Sequence, residues 1–107
     1  MEKTKLDILL RVEPGSLGPD GLDFVEGFCQ VAEKAMQQTR GTHFNWEIVP
    51  RYDKSLPEIT YFINQKRLSD ERIEQWLERL GTNMAEMEES SMLAISNLID
   101  RYLGHKY

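Results

Sequence analysis

Three stretches of the chain hold residue types that can do chemistry. The first is RVEPGSLGPDGLDF, Arg11 to Phe24, in which Gly15, Gly18 and Gly21 precede a run of helical periodicity. Backbone N–H groups at a helix N-terminus offer unpaired donors and a positive dipole, and a glycine-rich turn lets an anion come close to them. The side chains oppose a phosphate. No lysine follows the last glycine as in a P-loop, and G-x-x-G-x-x-G is not the dinucleotide fingerprint. Glu13, Asp20 and Asp23 also surround the place the anion would take. The reading with the greater weight is a hinge: Gly15 and Gly18 supply turn conformations, Pro19 enters the first helical turn, and Asp20 or Asp23 satisfies the helix end.

The second is Cys29, the single cysteine. A nucleophilic thiolate needs a base or a cation beside it, and the two histidines, His43 and His105, fall at a strand start and in the tail. Cys29 lies on an apolar helix face and reads as a small core residue. Neither histidine has a ligand partner at helical or turn spacing, so we assign no metal and no cofactor. The third is EMEESS, where Glu88 and Ser91 fall inside an apolar helical arc while Glu86 and Glu89 point outward. A buried Glu88 would have a raised pKa, the mark of a catalytic acid, but such a residue more commonly marks where a helix overhangs its neighbour. No catalytic residue is assigned.

The elements that position these residues follow from periodicity. Leu6, Ile8, Leu10 and Val12 alternate with Lys5, Asp7, Leu9 and Arg11, as in a half-buried strand. From Pro19 to about Thr39, with Gly41 beyond, the pattern is an amphipathic helix. His43 to Val49 and Glu58 to Asn64 alternate again and are joined by PRYDKSLP, with Pro50 and Pro57 at the strand ends. Ser69 is an N-cap followed by Asp70 and Glu71, Leu68 staples to Ile73, and Ile73, Trp76, Leu77 and Leu80 form the stripe of a second helix. Gly81 ends it. A third helix runs to Leu103 with Gly104 as terminator.

The stretch SLPEITYFINQKRLSDERIEQWL resembles the back half of thioredoxin-like domains in its proline, strand, turn and helix order. The C-x-x-C is absent, as are a strand and helix before the proline, so no function is carried over.

We expect one α/β domain of the α+β type covering residues 1–107, in the order β-α-β-β-α-α. Its three-stranded mixed sheet would have the order 1-3-2, with 1-2-3 left open, and helices on one face. The other face would carry Leu9, Val49 and Phe62 among polar groups. The glycine loop and the 50–57 connection would share the end of the sheet where strand 1 finishes, with Arg51 and Lys54 facing Glu13 and Asp20.

The chain has 107 residues, is 40% hydrophobic and 29% charged, and has a formal net charge of −5. That balance argues against nucleic acid as a partner. The N-terminus lacks a signal-type apolar run and no stretch is long enough for a membrane helix, so a cytoplasmic, membrane-free protein is expected.

Two surfaces stand out. Met84, Met87, Met92, Ile95 and Tyr102 spread over a broad face of the third helix, with Leu93 just outside, which suits an adaptable partner surface or a homodimer through helix 84–103. Lys3, Lys5, Arg40, Lys66 and Arg67 would gather near the Ser69 helix start, and Arg40, Lys66 and Arg67 form the candidate anion patch. The function expected is a non-enzymatic protein-interaction or regulatory module using one of these surfaces. One alternative is a small-molecule or anion-binding domain, or an enzyme, with a pocket between sheet and helices near Trp46, Tyr52 or Glu88. Another is an acidic inhibitor or nucleic-acid mimic.

Overall fold

The alternation in LDILLRV is realised in the computed structural model, which describes residues 4–106, as strand β1, Leu6–Val12. Leu6, Ile8, Leu10 and Val12 are buried, while Asp7, Leu9 and Arg11 lie half-buried on the other side. The chain continues through α1 (Gly21–Arg40), β2 (Phe44–Pro50), β3 (Ile59–Ile63), β4 (Lys66–Arg67), α2 (Asp70–Arg79) and α3 (Met84–Lys106). Together they form a single α+β domain with one mixed sheet.

The sheet has four strands in the order β2-β1-β3-β4. This corrects the expected three strands in the order 1-3-2, and the 1-2-3 order as well. β1 is central, parallel to β2 and antiparallel to β3. The 51–58 connection makes this arrangement possible because it passes over the end of β1 and bonds to it on both sides. Arg51 N donates to Val12 O at 2.8 Å, and Arg11 N donates to Glu58 O at 2.7 Å. The extra strand β4 follows a two-residue turn in which Asn64 and Gln65 have φ of 51° and 68°, the left-handed pair of a type I′ hairpin. Without the usual Asn-Gly sequence, the turn carries a weak signal.

All three helices lie on the face of Ile8, Trp46 and Tyr61. α1 contributes Val25, Phe28, Cys29, Ala32 and Met36 to the core, α2 contributes Ile73 and Leu77, and α3 contributes Met87 and Ile95. The Ser69 hydroxyl accepts from Arg72 N and caps α2 as expected. α3 is capped by Asn83, whose Oδ1 accepts from Glu86 N at 2.9 Å. It runs through Gly104 instead of stopping there, so the expected terminator is a correction: a glycine lowers helix propensity without being obliged to end the helix.

The glycine stretch is a hinge, with its roles distributed differently from the expectation. Pro14–Leu17 form a 3-10 turn whose Leu17 is buried, and α1 begins only at Gly21; Asp20 holds the N-cap position but its side chain makes no capping hydrogen bond, so the expected cap is not made, and Asp23 lies in the first turn. Gly18 has φ of 89°, which an L side chain adopts only with strain. At Gly21 a Cβ would sit 1.7 Å from Pro14 O, so the turn and the helix approach too closely for any side chain. Gly15 has neither constraint, since nothing lies within 4 Å of where its Cβ would be. Gly21→Ala should therefore lower stability by about 1–3 kcal/mol, the usual penalty for overpacking. Gly15→Ala should stay within about 0.5 kcal/mol of the parent. Urea unfolding of the two variants checks the difference.

Candidate functional site

Of the residues with chemical potential, Glu13 is the most firmly engaged. Arg51 Nη1 lies 3.2 Å from its Oε1 and Lys54 Nζ 3.9 Å from its Oε2, as the shared end of the sheet implied. Arg51 also donates to the carbonyls of Leu56 and Lys54, so it organises the 51–58 connection and is not free for a ligand. Arg11 is similarly tied, its Nη1 donating to Pro57 O at 2.7 Å and to Thr60 Oγ1 at 3.2 Å. Cys29 is buried. Burial, then the carboxylates of Glu33 and Glu26, pushes its thiol up to about 11. Glu88 accepts from the Tyr61 hydroxyl at 3.3 Å, so the carboxylate inside the apolar arc ties α3 to β3. Burial, with Glu88 beside it, raises the Tyr61 pKa. The three residues named for an internal pocket have separate contacts: Trp46 Nε1 donates to Arg40 O, Tyr52 to Glu26, and Glu88 accepts from Tyr61.

The methionine-rich arc of α3 faces the protein's own core. Met87 and Ile95 are buried, and Met84, Met92 and Tyr102 are half-buried against the cluster. Tyr102 packs edge-on to Phe28 at 5.5 Å between ring centroids. Its hydroxyl lies over Gly27, where the absence of a side chain leaves room, since a Cβ there would sit 2.8 Å from it. Leu93 alone of the six residues is exposed, at 62%.

Leu93 borders a groove of about 420 Å³ between α1 and α3, lined by Ala35, Met36, Thr39 and Arg40 on one side and Leu93, Ala94, Asn97, Leu98 and Arg101 on the other. The helices run antiparallel, with Arg40 beside Ser90 at one end (Nη1 to Oγ, 2.6 Å) and Phe28 beside Tyr102 at the other. Ala35 and Ala94 keep the floor shallow. Two arginines and no carboxylate line it, in a chain of net charge −5. Among the described residues the ion pairs are those of Glu13, so neither groove arginine is neutralised by one.

Arg40 thus belongs to this groove. Lys66 and Arg67 lie on β4, at the opposite edge of the sheet from β2, about 14 Å away across three strand spacings. The candidate anion patch is split in two, and Lys3 lies outside the described residues. Lys5 is drawn to the α1 terminus, where its Nζ donates to Gly41 O at 2.8 Å.

The sheet face opposite the helices carries Asp7, Leu9 and Arg11, Asn45, Glu47 and Val49, Thr60 and Phe62, and Arg67 in register. A depression of about 330 Å³ on it is lined by Asp7, Leu9, Asn45, Glu47, Phe62 and Gln65, among others. Neither edge invites an added strand. On β2, Trp46 N donates to Gln37 Oε1 and Ile48 N to Glu33 Oε1, both at 2.9 Å, and Gln37 Nε2 donates to Phe44 O at 3.2 Å. Side chains of α1 therefore occupy the outward backbone groups that a new strand would need. On the other side, β4 has only two residues.

Sequence reasoning missed the place of Arg101 in the α1–α3 groove, the bonds of Gln37 and Glu33 to β2, and β4. The first two depend on which elements become neighbours, and no local pattern encodes that. Among the described residues no helix is long and apolar enough to cross a membrane, and no three His, Cys, Asp or Glu side chains gather as metal ligands would.

The burial and raised pKa of Cys29 give a direct expectation. At pH 8 its thiolate fraction is about 100-fold below that of an unperturbed thiol. Iodoacetamide should therefore alkylate the folded protein at least about 100-fold more slowly than the protein in denaturant, as followed by mass spectrometry. Comparison with known proteins returns no matching family model, no matching curated protein and no matching solved structure.

Proposed function

We propose that the protein is a non-enzymatic protein-interaction module whose α1–α3 groove receives an acidic, amphipathic segment of another protein. The observation that carries this reading is the lining of the groove: an apolar floor of Ala35, Met36, Ala94 and Leu98, an exposed Leu93 at the lip, and Arg40 and Arg101 with no carboxylate between them. An apolar residue of the partner would cover Leu93, and carboxylates on either side would meet the two guanidiniums. Apolar burial supplies most of the affinity, since covering a leucine contributes about 1.5–3 kcal/mol, whereas an exposed ion pair contributes about 1 kcal/mol or less. The arginines set orientation and association rate.

The neighbouring chemistry favours binding over catalysis. Cys29 is buried and protonated, Glu88 is held by Tyr61, and the cations beside the glycine hinge are held by Glu13. The carboxylates give no support to an acidic mimic. Asp7, Glu13, Glu26, Glu33, Glu74 and Glu88 each hold a local partner and are distributed over the open sheet face, the end of β1 and all three helices.

The test uses the intact chain as bait in its native host, with Leu93→Asp and Arg101→Glu as comparison baits, both at exposed positions. A partner meeting this description should bind the parent and lose at least about tenfold in affinity to Leu93→Asp, the equivalent of 1.4 kcal/mol. Its binding to Arg101→Glu should be weaker and less salt-sensitive. Partners that bind all three baits equally would refute the groove as the site.

A further inference from the structure

The sheet face opposite the helices is complementary to itself, and we infer that it pairs with the same face of a second copy of this chain. This surface is separate from the α1–α3 groove. Two rows of side chains cross it. One reads Asn45, Asp7, Phe62, Arg67 from β2 to β4, and the next reads Glu47, Leu9, Thr60 from β2 to β3. The apolar pair Leu9 and Phe62 flanks the boundary between β1 and β3, which is the midline of the four strands. The carboxylates Asp7 and Glu47 lie on the β2 side of that line, and the guanidinium of Arg67 on the β4 side. Arg11, also on this face, keeps its charge, and Pro57 O and Thr60 Oγ1 hold its guanidinium in place.

Consider a two-fold axis along the strands at that midline. It lays β1 of one copy over β3 of the other, and β2 over β4. Phe62 of the second copy then falls over Asp7 and Leu9, and its Arg67 falls over Asn45, within side-chain reach of Glu47. Those residues line the depression of about 330 Å³. Each copy therefore inserts an aromatic ring and a guanidinium into the hollow of the other, while the two Asp7 carboxylates flank the axis about one strand spacing apart, each accepting from its own Asn45 Nδ2. An isologous contact of this kind closes at two chains. Strand addition is not the competing mode, because Gln37 and Glu33 occupy the β2 edge and β4 is two residues long. The face measures roughly 20 by 17 Å from strand spacing and rise, less than the footprint of a typical stable interface, so the dimer should be weak and concentration-dependent.

The test is sedimentation equilibrium of the parent chain from about 5 µM to 1 mM, with four variants whose folding is confirmed by circular dichroism. The parent should shift from monomer to dimer across this range. Glu47→Arg and Arg67→Glu should each weaken association at least about tenfold, and the Glu47→Arg/Arg67→Glu double variant should restore it. Leu93→Asp should dimerise like the parent. A parent that stays monomeric throughout overturns the inference. A dimer indifferent to the single charge reversals, one that the double variant fails to restore, or one that Leu93→Asp dissolves does so equally.

Discussion

The double pairing of β1 is the constraint on which the rest of the structure depends. It is parallel to β2 on one side and antiparallel to β3 on the other, and its alternate residues Leu6, Ile8, Leu10 and Val12 are all buried. A parallel neighbour requires a crossover, and α1 supplies it. An antiparallel neighbour on the far side requires the chain to pass over the end of β1, which the 51–58 connection does while bonding to Arg11 and Val12. Once β1 is central, α1 can lie over β2, α3 over β3, and the opposite face is left without a helix.

That layout decides how the polar groups are used. α1 sits close enough to β2 for Gln37 and Glu33 to bond its outward backbone groups. Trp46 in turn bonds the last carbonyl of α1, so helix and edge strand satisfy one another's exposed termini. Close approaches of other elements to α1 require Gly21 to lack a side chain where the helix meets Pro14, and Gly27 to lack one where Tyr102 of α3 approaches. The glycine stretch therefore serves packing. Its helix end has the dipole an anion would want, but three carboxylates and a tightly occupied turn are what stand there.

Two surfaces stand out among the described residues, and they differ in character. The α1–α3 groove is apolar and cationic, a local exception in an acidic molecule. The open sheet face carries both signs of charge about an apolar midline. In the contacts proposed for them, apolar area supplies attraction and the arrangement of charge selects what fits. The arc of α3, which by composition resembles a partner surface, is instead part of the protein's own core, packed with residues of α1 and α2 on the apolar face of the sheet.

Much of this was legible in residue order. Period-two alternation marked β1, β2 and β3, Ser69 with Asp70 and Glu71 marked the start of α2, and the carboxylates around Gly15 to Gly21 spoke against a phosphate, because these signals act over a few residues and carry their own physics. Leu9, Val49 and Phe62 could be placed on one face by parity alone. Strand order could not, since each strand offers the same hydrogen-bonding edge to any neighbour and the choice is made by long-range closure. Nor could the division of Arg40 from Arg67, the union of Arg40 with Arg101, or the self-complementary face, because each is a relation between residues far apart in sequence. The sequence by itself determined the alternation of β1, β2 and β3, the start of α2 and the character of the glycine stretch, because those signals are local. The tertiary structure decided which of the outside residues would stand together, and recognition is a property of that company.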